Sequence, residues 1–123
     1  MKTTCGTDII EISRIKNSIE KFGDRFLNTV FTENEIKYCE SKNAQKYQHY
    51  AARFAAKEAV FKALSDNINA PDEWKSIEII SGETGRPKVN LKIKVEKLEN
   101  IDISLSHCKE FAIANVVANF KEN

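Results

Sequence analysis

Gln48-His49-Tyr50-Ala51-Ala52-Arg53-Phe54-Ala55-Ala56-Lys57-Glu58-Ala59-Val60-Phe61-Lys62-Ala63-Leu64 is the stretch that decides how this chain of 123 residues folds. It contains no Gly or Pro, and alanine, the strongest helix former, recurs through it, so it predicts a helix. At about 100° per residue, Tyr50, Phe54, Phe61 and Leu64 gather on one stripe. Ala51, Ala52, Ala55, Ala56, Ala59 and Ala63 cover most of the rest. A surface helix carries a broad polar face, and this one has none. Arg53 and Lys57 flank the aromatic stripe on one side, Glu58 and Lys62 on the other. Their charges therefore fall where neighbouring elements crowd them. Unpaired buried charge is costly, so such groups are paired with one another, with a metal or with a ligand.

The composition bounds the rest. The length fits one domain over 1–123, large enough for a full core. A hydrophobic share of 41% and a charged share of 30% place the chain among ordinary soluble globular proteins. A formal charge of +1 argues against nucleic-acid binding by bulk charge. No apolar run reaches the ~20 residues of a membrane span, and the N-terminus lacks a signal-peptide core. Cys5, Cys39 and Cys108 are odd in number and lack C-x-x-C spacing. They read as reduced thiols of a cytoplasmic protein, neither a disulfide framework nor a zinc site.

Outward from the central helix, Thr3 to Ile12 predicts a strand, with Asp8 inside an apolar run where an acid faces solvent or holds something. Ser13 predicts the cap of a helix to about Phe22, with Ile12, Ile15, Ile19 and Phe22 as its buried stripe. Arg14, Lys21 and Arg25 fall within roughly 40° of one another if that helix continues past Gly23. Such a ridge is either a solvated face or a docking surface for an acidic partner. Arg25 to Phe31 predicts a short helix or turn. Thr32-x-x-Glu35 has the spacing of a capping box that opens a helix to about Ser41, which accounts for Glu33 and Glu35 without chemistry.

Beyond the central helix, Ser65 to Glu73 is a polar loop. Trp74 to Ile80 predicts a strand, Ser81 to Pro87 a loop that presents Arg86, and Val89 to Val95 a period-two strand. Ile101 to His107 and Phe111 to Phe120 predict a hairpin, with His107 at the strand end beside the turn. His49, placed on an exposed helix flank, receives only a structural reading.

The chemistry-bearing set is thus two acids, Asp8 and Glu58, and the cations Arg53, Lys57, Lys62, Arg86 and His107. One or two carboxylates with open water positions suit Mg²⁺, and cations nearby suit a polyphosphate. Glu58 and Lys62 also have the i, i+4 spacing of a plain salt bridge, and the residues alone leave that reading open. There is no P-loop and no G-x-G-x-x-G.

Five motifs, in order, extend this set over nearly the whole chain. They are Gly6-Thr7-Asp8-Ile9 with Arg14-Ile15; Phe31-Thr32-x-x-Glu35; Arg53-Phe54-Ala55-Ala56-Lys57-Glu58-Ala59 with Lys62-Ala63; Gly85-Arg86-Pro87; and Ser104-Leu105-Ser106-His107. With them the chain resembles holo-(acyl-carrier-protein) synthase, the small bacterial type of 4′-phosphopantetheinyl transferase. The resemblance implies an α+β fold, an antiparallel sheet packed on helices, and a homotrimer with active sites between subunits. It implies transfer of 4′-phosphopantetheine from coenzyme A to a serine of apo-acyl carrier protein, releasing adenosine 3′,5′-bisphosphate. It further implies Mg²⁺ on Asp8 and Glu58, the nucleotide end on Arg53, Lys57, Arg86 and His107, and Lys62 on the reacting phosphate. Asp8, Glu58 and a water at the metal are each able to take the serine proton. Acyl carrier proteins are acidic, which gives the ridge of Arg14, Lys21 and Arg25 a docking use. The family often has a short helix within Lys88 to Asn100, where alternation here predicts strand. The alternative is a non-catalytic module of the same fold that binds coenzyme A or a carrier protein.

Overall fold

The computed structural model describes residues 1–68 and 73–122. The elements run β1 (Lys2–Glu11), α1 (Ile12–Phe22), α2 (Asp24–Val30), α3 (Glu33–Glu40), α4 (Lys46–Leu64), β2 (Ile77–Ser81), β3 (Pro87–Leu91), β4 (Leu98–His107) and β5 (Phe111–Phe120). Short 3₁₀ turns cover Asn43–Gln45 and Trp74–Ser76. This is the expected α+β arrangement. β5 lies between β1 and β4 in an antiparallel sheet, while β2 and β3 form a hairpin of their own.

The period-two alternation of β5 sorts the sheet into two faces. Ala112, Ala114, Val116, Ala118 and Phe120 are buried, whereas Phe111 and Val117 are 39% and 42% exposed. Register places Asp8 opposite Ala114, on the buried side, and Asp102 opposite Val117, on the outer side. α4 lies across the buried side. The two backbones meet at Gly6, where a Cβ would stand 1.9 Å from the Ala59 carbonyl oxygen. Only glycine fits there. The Thr4 hydroxyl donates to the Ala63 carbonyl at 2.6 Å and fixes the same crossing. The alanines of α4 are thus contact surface. One core gathers Ala59, Val60, Leu64, Ile77, Ile79 and Val116; a second gathers Ile15, Val30, Phe31, Tyr50 and Ala112 under α1–α3.

Several expectations change. α1 starts one residue before Ser13, because the Ile12 amide donates to the Glu110 carbonyl at 2.8 Å and Ser13 is left inside the helix. α1 ends at Gly23 (φ +57°), whose carbonyl accepts from Phe26 and Leu27 and opens α2. The wheel therefore does not continue to Arg25, and Phe22, expected in the stripe, is 51% exposed. Trp74 to Ser76 is a 3₁₀ turn instead of strand, because the Trp74 ring lies 5.1 Å from Phe54 and 5.6 Å from Phe61 on α4. β3 stops at Leu91; Val95 turns into the core and Lys97 adopts φ +65°, so neither a strand nor a helix forms from Lys92 to Lys97. Part of the polar loop Ser65 to Glu73, namely 69–72, lies outside the described residues.

Candidate active site

Asp8, from β1, and Glu58 and Lys62, from α4, converge on one cleft of about 400 Å³, which Arg14, Phe26 and Phe54 also line. The close crossing at Gly6 produces this meeting, since Asp8 follows it by one buried-side position. Lys62 Nζ donates to Asp8 Oδ1 at 3.2 Å and to the Thr7 carbonyl at 2.9 Å. The Asp8 side chain is only 19% exposed, while that of Lys62 is 54% exposed. Burial pushes the Glu58 carboxyl above its ordinary range; the Asp8 charge adds to this and Lys62 partly offsets it. Two like charges facing one hollow invite a cation. All donors here are oxygens, and among the described residues no group of three His, Cys, Asp or Glu forms a closed cage. That set fits a hard dication that keeps water or phosphate oxygens for its remaining positions.

A second cluster lies on another flank of α4. Arg53 is 4% exposed, with its guanidinium carbon 4.1 Å from the centre of the Tyr38 ring. Its Nε is buried without a hydrogen-bond partner. A hollow of about 170 Å³ opens beside it, lined by Asn34, Tyr38, Ile79, Ile80 and Ser81. His49 stands edge-on to Tyr38 at 5.6 Å, and its ring centre is 6.2 Å from that of His107. His49 is thus half-buried against the end of β4, not on an exposed flank. Its pKa is depressed by burial and then by the charges of Arg53, Lys42 and His107.

Lys57 requires a correction. It is wholly buried, and its ammonium meets the Val30 carbonyl at 2.7 Å, the Trp74 carbonyl at 3.1 Å and Glu35 Oε1 at 2.7 Å. Three acceptors satisfy its three N–H groups, leaving none for a nucleotide. Burial depresses its pKa, with Glu35 opposing. Glu35 likewise does more than start a helix. It completes the capping box with Thr32 and also accepts from the Ile79 amide at 2.8 Å, tying α3 to α4 and β2. Glu78, which the strand pattern did not distinguish, is 3% exposed and accepts from Thr32 at 2.5 Å and Asn90 at 3.2 Å.

Arg86 stands apart from both clusters. Its guanidinium donates to Asp102 at 3.2 Å and lines a hollow of about 390 Å³ on the outer sheet face with Ser104, Asn115 and Asn119. Arg14, Lys21 and Arg25 are all exposed, but they sit on two helices. Arg14 faces the cleft, and Arg25 lines a hollow with Phe22, Phe26 and Thr29.

The 4′-phosphopantetheinyl transferase superfamily profile matches residues 4–116. The chain is 46% identical to the holo-[acyl-carrier-protein] synthase of Ruminiclostridium cellulolyticum, over 100% of this chain and 96% of that protein. It is 47% identical to the protein of the same name from Chlamydia muridarum, over 92% of this chain and 91% of that one. Among solved structures, the ACPS–CoA complex of Chronobacterium ammoniagenes superposes with a TM-score of 0.86 at 25% identity, covering 99% of this chain and 100% of that one. The Bacillus anthracis holo-(acyl-carrier-protein) synthase, in complex with CoA (3′,5′-ADP), gives 0.76 at 35% identity, covering 96% of each. The chain therefore belongs to the 4′-phosphopantetheinyl transferase superfamily, among its holo-(acyl-carrier-protein) synthases.

Proposed function

We propose that this protein transfers 4′-phosphopantetheine from coenzyme A to a serine of apo-acyl carrier protein and releases adenosine 3′,5′-bisphosphate in a Mg²⁺-dependent reaction. The observation that carries the reading is the convergence of Asp8, Glu58 and Lys62 in one cleft. Asp8 and Glu58 would hold the metal, which supplies Lewis-acid neutralisation of the pyrophosphate. Lys62, half-exposed and anchored at the cleft edge, offsets charge on the reacting phosphate or leaving group. Asp8, Glu58 or a water that they hold would accept the serine proton. Alignment of a neutral hydroxyl with a crowded anion is the remaining task, and the rigid β1–α4 crossing serves it.

Arg53 and His107 take the nucleotide end, supported by the buried, unbonded Nε of Arg53. Lys57 supports them from the core. Arg86 completes the site from a neighbouring subunit of a homotrimer. Support comes from its place on the outer sheet face, which leaves Ile9 and Val117 exposed at 62% and 42%. Arg14, Lys21 and Arg25 dock the acidic carrier protein, with Phe22 adding apolar contact. A cytoplasmic location is supported by Cys5, Cys39 and Cys108, which are free thiols.

Mass spectrometry of apo-acyl carrier protein incubated with this protein, Mg²⁺ and coenzyme A tests the reading. A phosphopantetheine mass shift on serine is expected, and excess chelator should abolish it. Coenzyme A binding without any shift would mean a binding module instead.

A further inference from the structure

The cluster around Arg53 holds more positive charge than the chain itself balances. Lys42 Nζ and the Arg53 guanidinium both lie against the Tyr38 ring, at 4.7 Å and 4.1 Å from its centre. His49 and His107 adjoin them. Among the described residues, none of these four groups has a carboxylate partner. A guanidinium that is 4% exposed, with a buried unbonded Nε, adds the cost of desolvation to that of repulsion. An anion from outside the chain resolves both costs at once.

We propose that His49 joins Arg53 and His107 as a proton-accepting ligand for the 3′-phosphomonoester of the coenzyme A nucleotide end. Donor affinity is thereby coupled to pH. The inference rests on the nucleotide-end reading of Arg53 and His107 above and adds a residue to it. Every group that bears on His49 is cationic or neutral: Arg53 on its own helix, Lys42 on the link from α3, Tyr38 on α3 and His107 at the end of β4. With burial, they favour the neutral imidazole in the free protein. A phosphate dianion reverses the balance, since it places opposite charge beside the ring and favours the imidazolium, which donates from both nitrogens. Binding then takes up one proton from solvent. The pyrophosphate is the poorer candidate for this cluster. Arg53 and Glu58 are five residues apart, about 140° around α4, so the cluster and the carboxylate cleft face different ways.

The experiment is isothermal titration of adenosine 3′,5′-bisphosphate into wild type and H49Q. It is run at pH 8 and pH 6.5, in two buffers of different ionisation enthalpy. The ligand's own phosphate ionisation is common to both proteins and cancels. Between pH 8 and 6.5 the wild type should gain about 3- to 10-fold more affinity than H49Q, accompanied by buffer-dependent proton uptake. Adenosine 5′-monophosphate, which lacks the 3′-phosphate, should show neither effect. Equal pH gain and equal proton uptake in H49Q would overturn the role of His49 alone. Absence of bisphosphate binding to wild type would overturn the nucleotide-end reading as well. The wild type also provides a check without substitution, because the NMR titration midpoint of His49 should rise on saturation with bisphosphate. An unmoved midpoint sinks the proposal.

Discussion

Lys62 pairs with Asp8 across the gap between α4 and β1, at 3.2 Å, and makes no ion pair with Glu58 one turn earlier on its own helix. The i, i+4 spacing allowed the intrahelical bridge. The close β1–α4 crossing offers Lys62 a better site, because the Thr7 carbonyl lies beside the Asp8 carboxylate and accepts from the same ammonium.

Asp8→Ala and Glu58→Ala should each lower kcat by on the order of 10²-fold or more. Stability should change little. The Lys62 side of the pair is solvent-screened, so the pair contributes less than about 1 kcal/mol. Turnover and urea midpoint measured on the same preparations separate the two effects. Near-normal turnover in both variants would remove the carboxylates from the chemistry.

Charge reversal at Arg25 and Lys21 should weaken carrier-protein binding about tenfold while coenzyme A affinity stays at the wild-type level. Neither residue lines the carboxylate cleft. A loss of both affinities together would indicate a folding defect rather than docking.

Gly6→Ala should cost at least about 3 kcal/mol, because the new methyl would overlap a helix carbonyl instead of a movable side chain. Chemical denaturation reads this directly. A variant of wild-type stability would mean that β1 and α4 can separate without penalty.

Removing one partner of the buried Lys57–Glu35 pair leaves the other charge stranded. Lys57→Met and Glu35→Gln should each destabilise by about 3–5 kcal/mol, and the double variant by clearly less than their sum. Additive losses in the double-mutant cycle would deny the coupling.

Burial pushes the Cys39 thiol up to about 12, while the unfolded chain titrates near the ordinary thiol value of about 8.5. The folded state therefore keeps its proton longer. The contribution is complete below the unfolded value and declines as pH rises toward 12. Between pH 9 and 10.5, wild type should lose up to about 1.4 kcal/mol per pH unit more than Cys39→Ala does. Parallel denaturation series would contradict it.

The alanine-rich stretch made the central helix and the α+β class legible, because a helix apolar on every side must be enclosed. Asp8 and Glu58 were legible as acids set in apolar runs. The wheel asks for a partner for Lys57 but does not name it; the resemblance points to the nucleotide, and nothing local says that Glu35, in a capping box, reaches back to it. Glu78 was hidden by strand alternation, which cannot tell a buried acid with partners from a solvent-facing one. His49 was placed on a free flank because the strand end that covers it comes from the far side of the sequence.

Arg86 and the Asp8 cleft lie on opposite faces of one sheet, and this has a genetic consequence. If each site draws Arg86 from a neighbour, two kinds of inactive chain can cure each other. Mixed assemblies of Asp8→Ala and Arg86→Ala chains would contain some sites that are wild type in both respects. Co-expressed alleles would then complement within one gene, whereas alleles that both alter the Asp8–Glu58–Lys62 cleft would not.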